Sequence, residues 1–299
     1  MNTITRNELN ELLQRGEPLA LVDVTPEENY RAAHLPGARN SCVYEVNFLD
    51  QAATAAPDKA GTIVVYGSSM HSLASSTAAE KLQRAGWADA RDYRGGLEDW
   101  EAAGLPVERG PAPPAKEQPR QGRHEIDTAK SQVRWTGRNI NGAHTGTIHL
   151  KAGWLDVTAA PAASGELTLD MGSIADTDLT DSALNRILIA HLKSDDFFDT
   201  ARYPVATFHL RHVTLNPHAR PGNINADIDG ALTLKGVTAD LGFPALIEVL
   251  HGGALSAEAH FDIDRTRWNV IYGSGKFYER LGRHLVHDNI SLSLHIVTL

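Results

Sequence analysis

The spacing of hydrophobic residues divides the chain into two parts with different periods. Before residue 110, short unbroken apolar runs at residues 19–24 and 63–66 alternate with helical patterns, of which residues 72–85, followed by Gly86, form the clearest. Unbroken apolar strands are typical of parallel sheets that helices cover on both faces. The first part is therefore predicted to be an α/β domain, a parallel sheet with flanking helices.

After residue 122 the hydrophobic period changes to two. Apolar and polar residues alternate over residues 166–171, 224–235, 241–249, 255–264 and 290–296. Such alternation indicates strands with one apolar and one polar face. Further segments lie near Val133, Ile148 and Phe208. The total of about eight strands is enough to close an antiparallel barrel, so the second part is predicted to be all-β and lipocalin-like.

One stretch of the second part has helical spacing. The residues at that spacing are Leu184, Ile187, Leu188, His191 and Leu192. They predict an amphipathic helix over residues 181–192, inserted between two strands. An apolar stripe must pack against something, and the open end of the barrel is the nearest apolar surface. We expect this helix to close a water-excluded tunnel inside the barrel.

A proline-rich stretch separates the two parts. Residues 110–119 include Pro111, Pro113, Pro114 and Pro119, which cannot continue a helix or a central strand. Such a stretch is typical of a semi-rigid extended linker. The predicted organisation is a first domain at residues 1–110, a linker at 111–122 and a barrel at 123–299.

Composition narrows the classes of partner. The formal net charge is -9, from 28 Lys+Arg and 37 Asp+Glu, which disfavours nucleic acid and anionic membrane surfaces. No apolar run is long enough for stable membrane insertion, and residues 1–14 lack the pattern of a secretory signal. We expect a cytoplasmic protein. The oligomeric state is left open, with a homodimer as one alternative.

Four segments of the first part resemble the rhodanese family. They are Leu-Val-Asp-Val at residues 21–24, the segment 30–38 ending in Leu-Pro-Gly-Ala, the segment 93–100 with its Gly-Gly and Trp, and Gly-Leu-Pro-Val at 104–107. The resemblance covers residues 5–108. It implies an α/β fold and sulfur transfer through a cysteine thiolate at the first position of the loop after residues 63–66.

The chain departs from that pattern at the nucleophile. Glycine occupies the cysteine position in a loop that reads Gly67, Ser68, Ser69, Met70, His71, Ser72. A hydroxyl cannot carry sulfane sulfur, so we predict no catalytic residue in this loop. Three alternatives stay open: Cys42, the only cysteine, as a relocated nucleophile; a hydrolytic pair of Ser69 and His71; and a loop that keeps only an anion-binding role.

The second part resembles the YceI-like family of lipocalin-shaped barrels. The resemblance is carried by residues 124–131, by 191–199 with 203–208, by 229–238 and by Phe-Asp-Ile-Asp-Arg at 261–265. The departures are in the first strands and in the apolar run at 187–190. The resemblance covers residues 124–298 and implies binding of a polyisoprenoid chain. A wholly apolar tunnel can hold such a chain without polar anchors.

Six aromatic residues are the candidates for the lining of the tunnel, with plain core packing as the alternative for each. They are Phe197, Phe208, Phe243, Phe261, Trp268 and Tyr272. Alternation also places Ala257 on the apolar face, where a larger side chain would fill the lumen.

The other polar groups are expected to be structural. His209 and His212 lie on a strand at a spacing that sends them to opposite faces, and His284, His287 and Asp288 share a loop. We predict no metal site from them. On a strand end, Asp262, Asp264 and Arg265 are interpreted as a surface ion pair, which stabilises little.

These patterns together predict a binding protein. Its function would be to carry or sense an apolar isoprenoid or quinone-like lipid in the cytosol, with no certain cofactor apart from that lipid. The rhodanese-like domain, lacking its cysteine, would serve as a docking or regulatory module. The alternative is an enzyme, either a sulfurtransferase that uses Cys42 or a barrel that chemically transforms its ligand.

Overall fold

A computed structural model describes residues 2–111, 117–158 and 164–299. The chain divides into two compact units, Met1–Ala115 and Lys116–Leu299. The predicted linker lies partly outside the described residues. Its second half packs on the barrel, because the Arg120 N–H donates to the Gly253 carbonyl at 3.0 Å and Gly122 already begins a strand.

The first unit alternates strands and helices. In chain order its elements are β1 (Asn2–Thr3), α1 (Arg6–Gln14), β2 (Leu19–Asp23), α2 (Glu27–Ala32), β3 (Ala33–His34), β4 (Arg39–Asn40), α3 (Phe48–Ala55), β5 (Thr62–Tyr66), α4 (Ala74–Arg84), β6 (Asp89–Tyr93), α5 (Gly96–Ala102) and β7 (Glu108–Arg109). Helix α1 begins with a capping box, in which Thr5 and Glu8 satisfy each other's backbone N–H groups.

Five strands form a parallel sheet in the order β1-β6-β5-β2-β4. Successive residues of β5 point to opposite faces, so Ile63 and Val65 pack with α3 and α4, whereas Val64 and Tyr66 pack with α1 and α5. Both faces are covered, which explains why β2 and β5 are unbroken apolar runs. The predicted α/β fold is confirmed.

A buried carboxylate lies next to the end of β6. Asp92 is fully buried, and neither of its oxygens has a hydrogen-bond partner among the residues that the structure describes. Burial raises the pKa of Asp92, and the nearby Ser75 hydroxyl and Arg94 charge offset only part of this effect. The ionised form of Asp92 therefore opposes folding.

We expect Asp92→Asn to stabilise the first unit by about 1–3 kcal/mol at neutral pH, because the amide has nearly the shape of the carboxylate but carries no buried charge. Because the folded-state pKa is raised, the penalty in the wild type is absent below the unfolded-state pKa of about 3.9 and grows as pH rises towards the folded-state value. Calorimetry of the full chain across pH should show the gain of the variant vanishing at acid pH.

Asp89→Asn on the same strand is the matched control. The guanidinium of Arg91 hydrogen-bonds to Asp89 and, with Thr62, lowers the pKa of that carboxyl despite its partial burial. Ionised Asp89 therefore stabilises the folded state, and Asp89→Asn should lower the free energy of unfolding. The loss should grow as pH rises from the lowered folded-state pKa to the unfolded-state value of about 3.9. If both substitutions raised the stability, the gain in Asp92→Asn could not be attributed to removal of a buried charge.

The second unit is built from long strands and one helix. Its elements are β8 (Gly122–Glu125), β9 (Gln132–Asn139), β10 (Gly142–Val157), β11 (Ser164–Asp176), α6 (Ser182–Lys193), β12 (Val205–Leu215), β13 (Ala226–Leu234), β14 (Val237–Val249), β15 (Leu255–Asp264) and β16 (Asn289–Val297). Short 3-10 turns lie at His251–Gly253, Arg265–Trp268 and Gly282–His284.

Strands β9 to β16 close into an antiparallel barrel. Each pairs with the next along the chain, β16 returns to β9, and β8 pairs with the far end of β10. The eight-stranded barrel predicted from alternation is confirmed. A two-residue hairpin joins β13 to β14 through Lys235 and Gly236, which have φ values of 49° and 75°. Two successive residues with positive φ form a turn whose twist matches the right-handed twist of the flanking strands.

Helix α6 forms where helical spacing predicted it. The Asp181 carboxylate caps its first turn by accepting from the N–H groups of Ala183 and Leu184. Across the described residues, no helix is both long and apolar enough to cross a bilayer.

Candidate ligand-binding site

The barrel contains a cavity of about 370 Å³. All eight strands and α6 contribute to its lining, which is mainly aliphatic and aromatic, with residues such as Leu150, Met171, Leu234, Ile263 and Leu292. This volume lies at the lower end of the range of about 300–1,000 Å³ for small-molecule sites. The inward-facing residues of the alternating strands therefore surround an apolar space.

Five of the six aromatic candidates line this cavity, namely Phe197, Phe208, Phe243, Phe261 and Tyr272. Trp268 is not part of the lining. It is fully buried in the core, and its indole N–H donates to the Leu232 carbonyl at 2.8 Å. The structure thus brings the five together and places Trp268 behind the cavity wall.

Two aromatic groups occupy different parts of the cavity. On the strands, Phe243 stacks on Phe261 with ring centroids 4.1 Å apart and lies 5.7 Å from Phe208. Beside α6, the His191 ring meets Phe197 and Tyr272 edge-to-face at 4.9 and 4.7 Å. Flat aromatic walls suit a long, branched hydrocarbon chain because they offer a large contact area with little loss of side-chain freedom.

Helix α6 covers the cavity with part of the predicted stripe. Leu188, His191 and Leu192 line the cavity, but Leu184 and Ile187 are 54% and 65% exposed. The Asn185 side-chain amide, which the apolar spacing does not mark, holds the helix to the barrel by donating to Asp176 Oδ1 and to the Leu179 carbonyl. The prediction of one continuous inward stripe is therefore wrong for Leu184 and Ile187.

One region of the cavity wall carries basic side chains that are exposed to solvent. Arg138 and Asn139 from β9 and Arg283, His284 and His287 from the last loop line it. Sequence reasoning noted the two histidines but missed the arginines, because β9 and the last loop are far apart in the chain. An apolar interior with one basic region suits a ligand that has an apolar chain and a polar head.

Arg265 corrects the interpretation of a surface ion pair. It is 1% exposed, lines the cavity, and donates to the carbonyls of His287 at 3.0 Å, Val286 at 3.1 Å and Val270 at 2.5 Å. Burial lowers its pKa, although Asp288 and Asp264 oppose this shift. Arg265 therefore fixes the last loop to the barrel from inside.

Trp135 contributes its ring to the cavity lining, and its buried indole N–H has no acceptor in the part of the chain that the structure describes. Gly146 on β10 packs against the same ring, where a Cβ would lie 2.5 Å from the indole. A buried donor without an acceptor costs about 1–3 kcal/mol, which a ligand oxygen would offset.

In the first unit, the loop after β5 docks on the start of α5. The Gly67 carbonyl accepts from the Leu97 N–H at 3.0 Å, and the Ser68 carbonyl accepts from Glu98 at 2.9 Å. Gly96 allows this approach, because it has φ +65° and its Cβ would lie 2.5 Å from the Gly67 oxygen. The loop shape is therefore fixed by contacts that do not involve a cysteine.

The alternative nucleophiles are poorly placed. The Cys42 side chain is buried at 5% exposure, while its N–H donates to Gln51 Oε1 at 3.1 Å. Ser69 Oγ accepts from the backbone N–H of His71, and no contact joins its hydroxyl to the imidazole. Neither arrangement presents an activated nucleophile to solvent.

Comparison with known proteins agrees with this division. Residues 124–298, more than half of the chain, match the family model of the YceI-like domain, and residues 5–103 match that of the Rhodanese-like domain. The chain belongs to the YceI-like family and carries a rhodanese-like domain ahead of the barrel.

Solved structures similar to the barrel include BcnA of Burkholderia cenocepacia, with 24% identity, a TM-score of 0.45, and coverage of 58% of this chain and 99% of that one. A polyisoprenoid binding domain from Saccharophagus degradans is similar at 14% identity, with a TM-score of 0.43 and coverage of 60% and 98%.

A curated protein resembles one part of the chain. The HTH-type transcriptional regulator Rv0324 of Mycobacterium tuberculosis is 35% identical over 109 residues, which are 36% of this chain. The match spans 46% of the length of that regulator.

Proposed function

We propose that the barrel binds an isoprenoid lipid with an oxygen-bearing head, such as a quinone, and carries or senses it in the cytosol. The observation that supports this most is the cavity of about 370 Å³ with apolar lining from every strand of the barrel. Each square ångström of buried hydrocarbon contributes about 25 cal/mol, so an alkyl chain of this kind binds by burial alone.

The polar groups at the cavity favour a head group that accepts hydrogen bonds. Trp135, whose N–H has no acceptor among the described residues, and the cations Arg138 and Arg283 are lining residues of the cavity. A carbonyl oxygen could take the Trp135 hydrogen bond, whereas a pure hydrocarbon could not.

In this proposal the rhodanese-like domain is a docking or regulatory module without sulfurtransferase activity. Gly67 has no thiol, and burial of Cys42 does not favour a relocated nucleophile. The rival, a sulfurtransferase using Cys42, predicts turnover of thiosulfate that disappears in Cys42→Ser.

Mass spectrometry of a solvent extract tests the binding function. Full-length protein purified from its native cells is expected to release an isoprenoid lipid in a ratio approaching one per chain. Absence of any lipid, together with no binding of an added long-chain quinone by the stripped protein, would contradict the proposal.

Trp135→Phe tests the head group separately. The variant keeps an aromatic side chain and removes the N–H, so affinity for a long-chain quinone should fall about tenfold, the effect of one hydrogen bond. Affinity for an isoprenoid hydrocarbon of equal length should stay unchanged. Equal losses for both ligands would mean that the substitution altered packing rather than head-group recognition.

A further inference from the structure

Three potential metal ligands meet at the junction of β10, β11 and the segment before α6. One ligand atom each from His144, Asp176 and Asp178 lies within 4.8 Å of the others. His144 Nδ1 is 3.1 Å from Asp178 Oδ2 and 3.9 Å from Asp176 Oδ2. Pairing of β10 with β11 creates the cluster, since Asp176 lies opposite Gly146, two residues from His144.

The buried member of the cluster has an unpartnered oxygen. The Asp176 side chain is 0% exposed, and its Oδ2, the atom facing His144, has no hydrogen-bond partner in the described ranges. A buried carboxylate oxygen without a partner is costly, and such oxygens in proteins are normally paired or bound to a metal. This oxygen is therefore a candidate ligand atom for a cation.

The remaining oxygens of both carboxylates are held by donors. Asp176 Oδ1 accepts from the Leu179 N–H at 2.9 Å and from Asn185 Nδ2 at 3.1 Å, while Asp178 Oδ1 accepts from the Thr145 N–H at 2.6 Å. Each carboxylate is thus oriented by one oxygen and presents the other to His144. Outer partners of this kind orient metal ligands in established sites.

As metal ligands, two ionised carboxylates and a neutral imidazole would together carry two negative charges, which a divalent cation would neutralise.

We propose that His144, Asp176 and Asp178 form a binding site for a divalent transition-metal ion, with zinc as the preferred member of that class. Tetrahedral zinc with bonds of about 2.0 Å separates its ligand atoms by about 3.3 Å, between the two distances measured from His144. Mixed imidazole and carboxylate donors favour zinc over magnesium or calcium. The three protein ligands leave a fourth position for water.

The position of the site gives it a structural consequence. His144 lines the cavity, and Asp176 is hydrogen-bonded to Asn185 of α6. A bound ion would fix the junction between the barrel wall and the helix that covers the cavity. Zinc binding should therefore slow hydrogen exchange in α6, with or without lipid.

The test uses untagged full-length protein after removal of metals with a chelator. Calorimetric titration with Zn²⁺ should show one site that His144→Gln and Asp178→Asn each weaken at least tenfold, while Mg²⁺ gives no binding at that site. Co²⁺ in the same site should produce visible absorption that both variants lose. Circular dichroism confirms that the variants are folded, and the titration is run on stripped and lipid-loaded protein.

His209→Gln is the matched control, because His209 forms a 3.2 Å pair with the single carboxylate of Glu166 on the barrel surface. It should bind Zn²⁺ like the wild type. Equal zinc binding by the wild type, His144→Gln and Asp178→Asn would overturn the proposal, as would no binding at all; the cluster would then be a histidine-aspartate ion pair beside a proton shared by two carboxylates.

Discussion

Ala206→Phe is expected to abolish lipid retention while leaving the barrel folded. Ala206 lies on β12, is 1% exposed and lines the cavity, so a phenyl ring at this position would project into the space that the chain needs. Wild-type protein should lose stability when its lipid is removed. A ligand at 100 times its dissociation constant stabilises by about 2.7 kcal/mol, or roughly 5–10 °C in Tm for a domain of this size.

The variant should melt at the same temperature before and after solvent extraction and release no lipid. Ala257→Phe is the matched control: Ala257 is outside the cavity lining and packs against the cluster of Ile126, Val133, Leu150 and Ile296. It should be destabilised by about 1–3 kcal/mol through overpacking but should retain lipid. If Ala206→Phe fails to fold and the wild type releases nothing, the lumen is core rather than a binding site.

Gly67→Cys is expected to create a thiol that takes up sulfur. A Cβ at Gly67 would meet Ala74 Cβ at 3.4 Å and Ser75 N at 3.7 Å, ordinary contact distances, and the loop is already fixed on α5. The thiolate would attack the outer sulfur of thiosulfate, forming a persulfide as the sulfur-sulfur bond of thiosulfate breaks and sulfite leaves. The start of α4 follows the loop and favours the thiolate.

Mass spectrometry should show a gain of one sulfur atom on Gly67→Cys and none on the wild type. The double variant with Cys42→Ser should behave like Gly67→Cys, because Cys42 is buried. Sulfur uptake by the wild type that disappears in Cys42→Ser would identify Cys42 as the nucleophile. An inert Gly67→Cys would show that the loop has lost the cradle as well as the cysteine.

The periods of the hydrophobic pattern were enough to predict both folds. The segment Ile63–Tyr66 was predictable as a strand buried on both faces because every residue in it is apolar. Strands β13 and β15 were predictable as barrel strands because apolar residues occupy only alternate positions in them. Helix α6 was predictable for the same reason. These properties are local, since they depend only on where successive side chains of one element point.

The depth of a side chain inside the barrel was not predictable in this way. Alternation puts Ala257 with the apolar residues, and Trp268 is a candidate as an aromatic residue, but the tertiary structure places neither in the cavity lining. Register shifts in the β10–β11 pair occur between Thr147 and His149 and between Leu150 and Ala152, and no spacing rule in the sequence reveals them.

The sequence by itself thus determined two domains, their folds, the apolar character of the lumen and the absence of a cysteine at Gly67. Only the tertiary structure decided which face of α6 turns inward, that Arg265 is buried, and that His144 meets Asp176. The physical reason is that periodicity records which side of an element is apolar, whereas contacts between distant segments depend on how strands pair and how the barrel closes.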